Sequence, residues 1–196
     1  MLVDSHCHLD FPDFAEDLDG IVSRARAAGI GRMVTISTRV RRLKDLLAIA
    51  ERYDDVYCSV GTHPHNADEE DGISPNELIA LTEHPKVVAL GEAGLDYFYD
   101  NGSPEAQARG FRAHIAAARV TGLPLVIHTR EADEDCARIL EEEAAKGGVS
   151  RRAALLHRRA RAGAEGSIAR ALYRLHRHRD LQEVGCLACI GGRITV

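Results

Sequence analysis

The sequence predicts an α/β protein built on a parallel sheet, and two observations lead to that prediction. First, short apolar runs alternate with helical patterns through residues 1–148, and helical crossovers of that length between strands require parallel pairing. Second, side chains that can bind metals or activate water follow four of the five apolar runs. Parallel α/β barrels place their active sites at the carboxyl ends of their strands. The sequence therefore indicates a barrel-type sheet with its functional residues at one end.

The five apolar runs have the length and the β-branched composition of buried parallel strands. They occupy residues 1–3, 32–36, 56–60, 87–90 and 123–127. Strands of this kind are covered on both faces, so each run predicts a strand within the body of the protein.

Helical patterns fill the segments between these runs. The predicted helices cover residues 17–28, 43–53, a segment beginning after Ser74, 104–120 and 131–146. Ser74 and Pro75 have the residue types of a helix cap and a first helical turn. Gly29, Gly122 and Gly147 follow three of the helices, as is typical of helix ends.

Length and charge limit the class of protein further. The chain has 196 residues, 45% of them apolar, which suits one domain with a sizeable core. It contains no apolar run of membrane-spanning length and no readable secretory signal, so we expect a cytoplasmic protein with no membrane partner. We also expect a monomer. Residues 149–196 carry 10 Arg, no Lys and 3 acidic residues, a net charge of +7, whereas residues 1–148 carry −12. A basic tail can indicate nucleic-acid binding.

The first apolar run is followed by two histidines, His6 and His8. In a strand, residues two apart point to the same face, so these imidazoles converge while Cys7 turns away. Two neutral imidazoles that converge form half of a metal site. The alternative is a pair of unrelated surface histidines near the start of the chain.

A carboxylate and a third histidine follow the fourth and fifth runs. Glu92 has two oxygens and can bridge two metal ions, whereas an imidazole offers one free lone pair. A salt-bridged acid and a hydrogen-bonded core histidine are the structural alternatives for Glu92 and His128. Together with the first two histidines, they indicate a nitrogen and oxygen site for Zn, Mn or Mg. A thiolate site is excluded, because no cysteine lies on the appropriate face at a strand end.

Further polar residues suit contacts with a substrate. His63 and His65 flank Pro64 in a rigid turn; metal binding is one possibility, but we favour donation to a substrate phosphate or to the attacking water. Arg130 offers a planar fork that matches phosphate. For Asp96, a local structural hydrogen bond is an equally good explanation.

These motifs resemble the successive signatures of the TatD-type metal-dependent deoxyribonucleases, within the amidohydrolase-like superfamily. The motifs are SHCHLD at 5–10, GTHPH at 61–65, GEAGLDY at 91–97 and IHTR at 127–130. The resemblance implies a TIM-like (β/α)8 barrel with two divalent metal ions that hydrolyses DNA phosphodiesters. It implies that His6 and His8 hold the first metal, that His128 holds the second, and that Glu92 bridges both as the catalytic carboxylate.

The resemblance ends near Gly148, and the remaining residues raise a separate question. The family continues with a His-Cys-Phe-Ser/Thr-Gly strand and a later metal-binding aspartate, and residues 149–196 contain neither. A complete barrel needs about 250 residues. If the DNA is read with each codon shifted by one base, the codons of residues 149–159 can encode FRGVLHCFTG and those of residues 177–184 can encode GIVTFKKS. Both strings are similar to the sequences of the family. We therefore hypothesise a shift of the reading frame near codons 147–149. On this hypothesis residues 1–148 are the N-terminal part of a hydrolase barrel, with about five β/α units. Residues 149–196 are then a basic tail outside the native fold.

The predicted function is hydrolysis of DNA phosphodiesters by water activated at two divalent ions. The acidic body argues against a broad basic groove along duplex DNA and favours single strands or ends. Two alternatives stay open: an amidohydrolase or esterase of the same superfamily, and an inactive truncated product or basic-tailed binding module.

Overall fold

The residues that the structure describes form a parallel sheet in which seven strands follow one another in chain order. The computed structural model describes residues 2–146, 155–158 and 188–190. The strands are β1 Leu2–Cys7, β2 Ile30–Thr35, β3 Val56–Val60, β4 Val87–Asp96, β5 Leu125–Arg130, β6 Leu155–Arg158 and β7 Ala188–Ile190. Each strand pairs in parallel with the next. A sequential order without reversal is that of a barrel sheet and not of a doubly wound one, so the predicted fold class is confirmed.

Five helices connect the strands within residues 2–146. They are α1 Leu18–Ala27, α2 Leu43–Arg52, α3 Pro75–Leu81, α4 Pro104–Thr121 and α5 Asp133–Ala145. The Ser74 hydroxyl accepts a hydrogen bond from Glu77 N–H at 3.2 Å, and Pro75 occupies the first turn of α3, as the sequence predicted. Helix α4 ends at Gly122, whose φ of 71° lies in the left-handed region that glycine favours.

The helices cover one face of the sheet, and a smaller apolar cluster covers the other. Leu90, Phe111 and Leu140 belong to the main core between sheet and helices. On the opposite face, Ile36, Ala89 and Val126 form a separate buried cluster. Side chains alternate between faces along a strand, so the second cluster marks the concave inner face of a partial barrel.

Several element bounds differ from the sequence prediction, and those of β1, β4, β5 and α5 bear on the site. Strand β1 runs on to Cys7 and so includes His6. Strands β4 and β5 run on to Asp96 and Arg130, so that the functional motifs lie within the strands and not after them. Helix α5 begins two residues later than predicted, because Glu131 has a φ of 52° that is incompatible with an α-helix. In β1, Leu2 and Val3 are exposed, which fits a strand that pairs on one side only among the described strands.

Two strands of the sheet come from beyond Gly148. β6 pairs with β5, and its register places His157 opposite His128. β7 pairs with β6 in turn. Most of the basic tail lies outside the described residues, so its assignment as out-of-frame sequence stays a prediction. Across the part of the chain that the structure describes, no helix combines the length and apolar character that crossing a bilayer requires.

Candidate metal centre

The end of β1 brings His6 and His8 to the concave side of the sheet. The Nδ1–H of His8 donates to the Ile36 carbonyl at 3.2 Å, which leaves Nε2 as the nitrogen available to a metal. Burial lowers the pKa of His8, so the imidazole is held in its neutral, ligating form. The thiol of Cys7 points away and donates to the Val34 carbonyl, and its burial raises its pKa.

Glu92 lies at the centre of the site and faces a histidine with each of its two oxygens. Its Oε2 is 3.4 Å from His6 Nε2, and its Oε1 is 3.0 Å from His128 Nδ1. The side chain is almost fully buried. Burial alone would raise the pKa of Glu92, but the hydrogen bonds from His128 and His6 outweigh it and hold the pKa well below its ordinary value. Glu92 is therefore an anionic carboxylate shared by two groups of histidines.

The local sequence of β4 explains how Glu92 reaches this position. The pairing of β4 with β5 is regular from Ala93 onward but shifts register between Leu90 and Ala93, and such irregularities re-aim a side chain. Gly94 lies against β5: a Cβ there would stand 1.9 Å from the His128 carbonyl oxygen. Glycine thus permits the close approach that brings Glu92 and His128 together.

His128 is held from its other side by an aspartate. Asp96 Oδ2 accepts from His128 Nε2 at 2.9 Å and from His65 Nε2 at 2.8 Å. This bond occupies Nε2 and leaves Nδ1 facing Glu92, an arrangement common for metal-binding histidines. Burial would lower the pKa of His128, but its hydrogen bonds to Glu92 and Asp96 outweigh burial and raise the pKa, so Nδ1 would lose its proton on binding a metal ion. His63 lies beside them, with Nε2 3.2 Å from His128 Nδ1. Burial lowers the pKa of His63 to about 3, so its imidazole is neutral.

Two groups of potential metal ligands result, and they share Glu92. In each group the ligand atoms lie within 4.8 Å of one another; the first consists of His6, His8 and Glu92, and the second of His63, Glu92 and His128. Nitrogen and oxygen donors of this kind suit Zn, Mn or Mg, and three protein ligands are typical of a hydrolytic site that keeps a position for water or substrate. The residues thus fit a pair of divalent cations.

A pocket of about 500 Å³ opens over these residues. Arg130 lines it, and its guanidinium carbon lies 3.7 Å from the ring centroid of Phe98 and 4.5 Å from that of Tyr99. No hydrogen bond or ion pair joins its guanidinium to a carboxylate of the described residues, so the group is available to an anionic ligand. Its contacts with the two rings and its place in the pocket lining put Arg130 at the edge of the site.

Sequence reasoning gave too little weight to two residues of the site. For Asp96, the sequence left a local hydrogen bond as an equally good explanation, and the structure shows both roles. Its Oδ1 accepts from the backbone N–H groups of Phe98 and Tyr99, and its Oδ2 accepts from His65 and His128. Its place at the end of the same strand as Glu92 is the signal for the second role. Phe11 was not selected, yet it lines the pocket and stacks on His8. A single aromatic residue after a strand carries no spacing signal.

The sheet and the residues at its carboxyl end define a barrel-type α/β protein with a candidate binuclear metal centre. The chain matches the family of TatD related DNases over residues 3–174, a range that continues beyond Gly148. It is 39% identical to the uncharacterized metal-dependent hydrolase YabD of Bacillus subtilis, covering 76% of this chain and 59% of that protein. It is 35% identical to the 3′-5′ ssDNA/RNA exonuclease TatD of Salmonella typhimurium, covering 68% and 51%.

A solved structure shows the same likeness. The crystal structure of YjjV, a TatD homologue from Escherichia coli, superposes with a TM-score of 0.71 at 28% identity, covering 89% of this chain and 64% of that one. The chain therefore belongs to the TatD-related DNase family. It spans between a half and two thirds of the length of these relatives.

Proposed function

We propose that this protein is a divalent-metal-dependent phosphodiesterase that hydrolyses DNA. The observation that supports this proposal is the position of Glu92, whose two oxygens face two different histidine groups at 3.4 and 3.0 Å. A carboxylate so placed can bind two cations at once. His6 and His8 would hold the first cation, His128 would hold the second, and Glu92 would bridge both; Mg, Mn and Zn all suit these donors.

Such cations would supply Lewis-acid activation of water and of the phosphoryl oxygens. The chain's own residues orient the reacting groups. Asp96 fixes the ring of His128, and the buried charge of Glu92 balances the positive charge of the site. Arg130 presents its planar guanidinium to a phosphate, and His63 and His65 donate to the phosphate or to the attacking water.

The proposed substrate is single-stranded DNA or a DNA end. Residues 1–148 carry a net charge of −12, so the body of the protein lacks the broad positive surface that follows a long duplex. A relative at 35% identity is named a 3′-5′ ssDNA/RNA exonuclease, which supports the same class of substrate here. Recognition of the DNA would then depend on the phosphate bound at the cations and on the nucleotides next to it.

End-labelled oligonucleotides test this proposal. The purified chain should shorten single-stranded DNA in Mn²⁺ or Mg²⁺, act more slowly on blunt duplex, and stop in EDTA. A panel of carboxylic esters, amides and phosphotriesters serves as the comparison. Faster metal-dependent hydrolysis of that panel than of DNA would contradict the phosphodiesterase assignment. DNA retention in EDTA without cleavage in any metal would instead indicate a binding module.

A further inference from the structure

Phe11 is an exposed aromatic residue at the mouth of the metal centre. The residue is 43% exposed and lines the same pocket as Glu92, His128 and Arg130. Its ring lies parallel to the ring of His8, with centroids 4.7 Å apart and an interplanar angle of 15°. The His8 ring therefore covers one face of the Phe11 ring and leaves the other face for a ligand to stack on.

The backbone around Phe11 holds this ring in place. The Phe11 N–H donates to the His8 carbonyl at 3.4 Å, and the Phe11 carbonyl accepts from Phe14 N–H at 2.9 Å. Pro12 follows directly and begins a short 3-10 turn, and its ring restricts the backbone further. A ring that is carried on a restrained backbone and stacked on His8 loses little conformational entropy when a ligand stacks on it.

We propose that Phe11 is a stacking platform for an unpaired nucleobase of the substrate, an inference that rests on the proposed phosphodiesterase function. A phosphate bound at the cations would hold its own nucleotide within reach of the residues that line the pocket. His8 connects the two positions, because it belongs to the first group of metal ligands and also stacks on Phe11. Aromatic side chains stack on bases of any sequence, because every base has a π-face. Bases within a duplex already stack on both faces, so Phe11 selects single strands and frayed ends.

The other exposed aromatic residues near the pocket are committed to a different contact. Phe98 and Tyr99 stack against the guanidinium of Arg130, at 3.7 and 4.5 Å from its central carbon. They therefore orient the group that suits the phosphate. Of the phenylalanine and tyrosine residues in the described part of the chain, Phe11 is the one that lines the pocket itself, so the base contact is assigned to it.

A comparison of two substrates tests the role of Phe11. The first is a short single-stranded oligonucleotide, and the second is the same oligonucleotide with abasic tetrahydrofuran residues at its terminal positions. Binding to the 196-residue chain is measured by fluorescence anisotropy with Ca²⁺, and cleavage is measured with Mn²⁺. Phe11→Ala should weaken binding of the normal oligonucleotide on the order of 5- to 150-fold, the range of one base stack, and should leave binding of the abasic oligonucleotide nearly unchanged.

Three variants make the result specific. Phe11→Trp should preserve the preference for the normal oligonucleotide, since it keeps a π-face, and Phe11→Leu should lose most of it. Phe14→Ala, in the same turn but outside the pocket lining, should behave like the unchanged protein. Equal losses on both oligonucleotides would show that Phe11 only supports His8 and would overturn the inference, as would no loss on either. Binding that depends on Phe11 without cleavage in Mn²⁺ would instead remove the proposed function.

Discussion

Glu92 is the residue on which the proposed chemistry depends most. Glu92→Gln keeps the shape of the side chain but removes the charge that balances two dications. We expect turnover to fall by more than about 10²-fold, because contributions of this kind are worth several kcal/mol. Arg130→Ala should instead raise KM with a smaller effect on kcat, since it removes a phosphate contact. Steady-state kinetics on a labelled oligonucleotide would measure both, and small, equal losses would remove Glu92 from the bridging role.

At the scale of the element, β4 illustrates what the sequence could and could not predict. The apolar run predicted the strand, and its polar end predicted Glu92, because carboxyl ends of parallel strands meet at one edge of the sheet. The register shift before Ala93 and the continuation to Asp96 could not be predicted, since they depend on pairing with β5. The start of α5 could not be predicted either, because the positive φ of Glu131, 52°, is uncommon for a residue other than glycine and has no signal in the sequence.

The contact between β4 and β5 predicts a strong effect of Gly94→Ala. Gly94 has a φ of +152°, and a Cβ there would stand 1.9 Å from the His128 carbonyl oxygen. We expect a loss of more than about 2 kcal/mol in the free energy of unfolding, from backbone strain and a backbone clash together. Gly110→Ala in α4 is the matched control, because its Cβ would meet nothing within 4 Å. Urea denaturation should show Gly110→Ala unchanged or more stable, and equal losses would contradict the close approach.

The packing of α4 against α5 predicts a pH-dependent part of the stability. Burial would raise the pKa of Glu143, but hydrogen bonds from Lys146, Arg112 and Arg119 outweigh it and lower the pKa. A carboxyl group with a lowered pKa stabilises the fold at pH values above its pKa in the unfolded chain, about 4.3. That stabilisation is lost as the pH falls through the pKa of the group in the folded protein. Glu143→Gln should therefore cost about 1–3 kcal/mol near pH 7 and less near pH 3.

The neighbouring Glu142→Gln serves as the control for this measurement. Glu142 is exposed and pairs with Arg138 at 3.0 Å and with Arg112, a partner that it shares with Glu143. Because exposed ion pairs contribute little to stability, its replacement should cost much less at every pH. Thermal or urea unfolding of both variants at several pH values would decide. A loss for Glu143→Gln that does not change with pH would contradict the assigned pKa direction.

At the scale of the whole molecule, the reversal of charge after Gly148 remains the main unexplained feature of the sequence. The frame-slip hypothesis predicts one inserted or deleted base near codons 147–149. The family match continues to residue 174, and β6 lies on the sheet beyond Gly148, so the DNA should be sequenced across codons 140–180. An intact reading frame that encodes this tail in close relatives would refute the slip and would make the tail part of the native chain.

Metal stoichiometry tests the central claim most directly, because two groups of ligands that share Glu92 should bind two cations. The chelator-treated chain is titrated with Mn²⁺ by isothermal calorimetry. We predict that each chain binds two cations. Glu92→Gln should weaken the binding of both, whereas His8→Ala or His128→Ala should weaken the binding of one. If His63 is a ligand of the second cation and not a substrate contact, His63→Ala will also weaken the binding of one cation. Binding of a single cation, or of two with unchanged affinity in Glu92→Gln, would contradict the shared carboxylate.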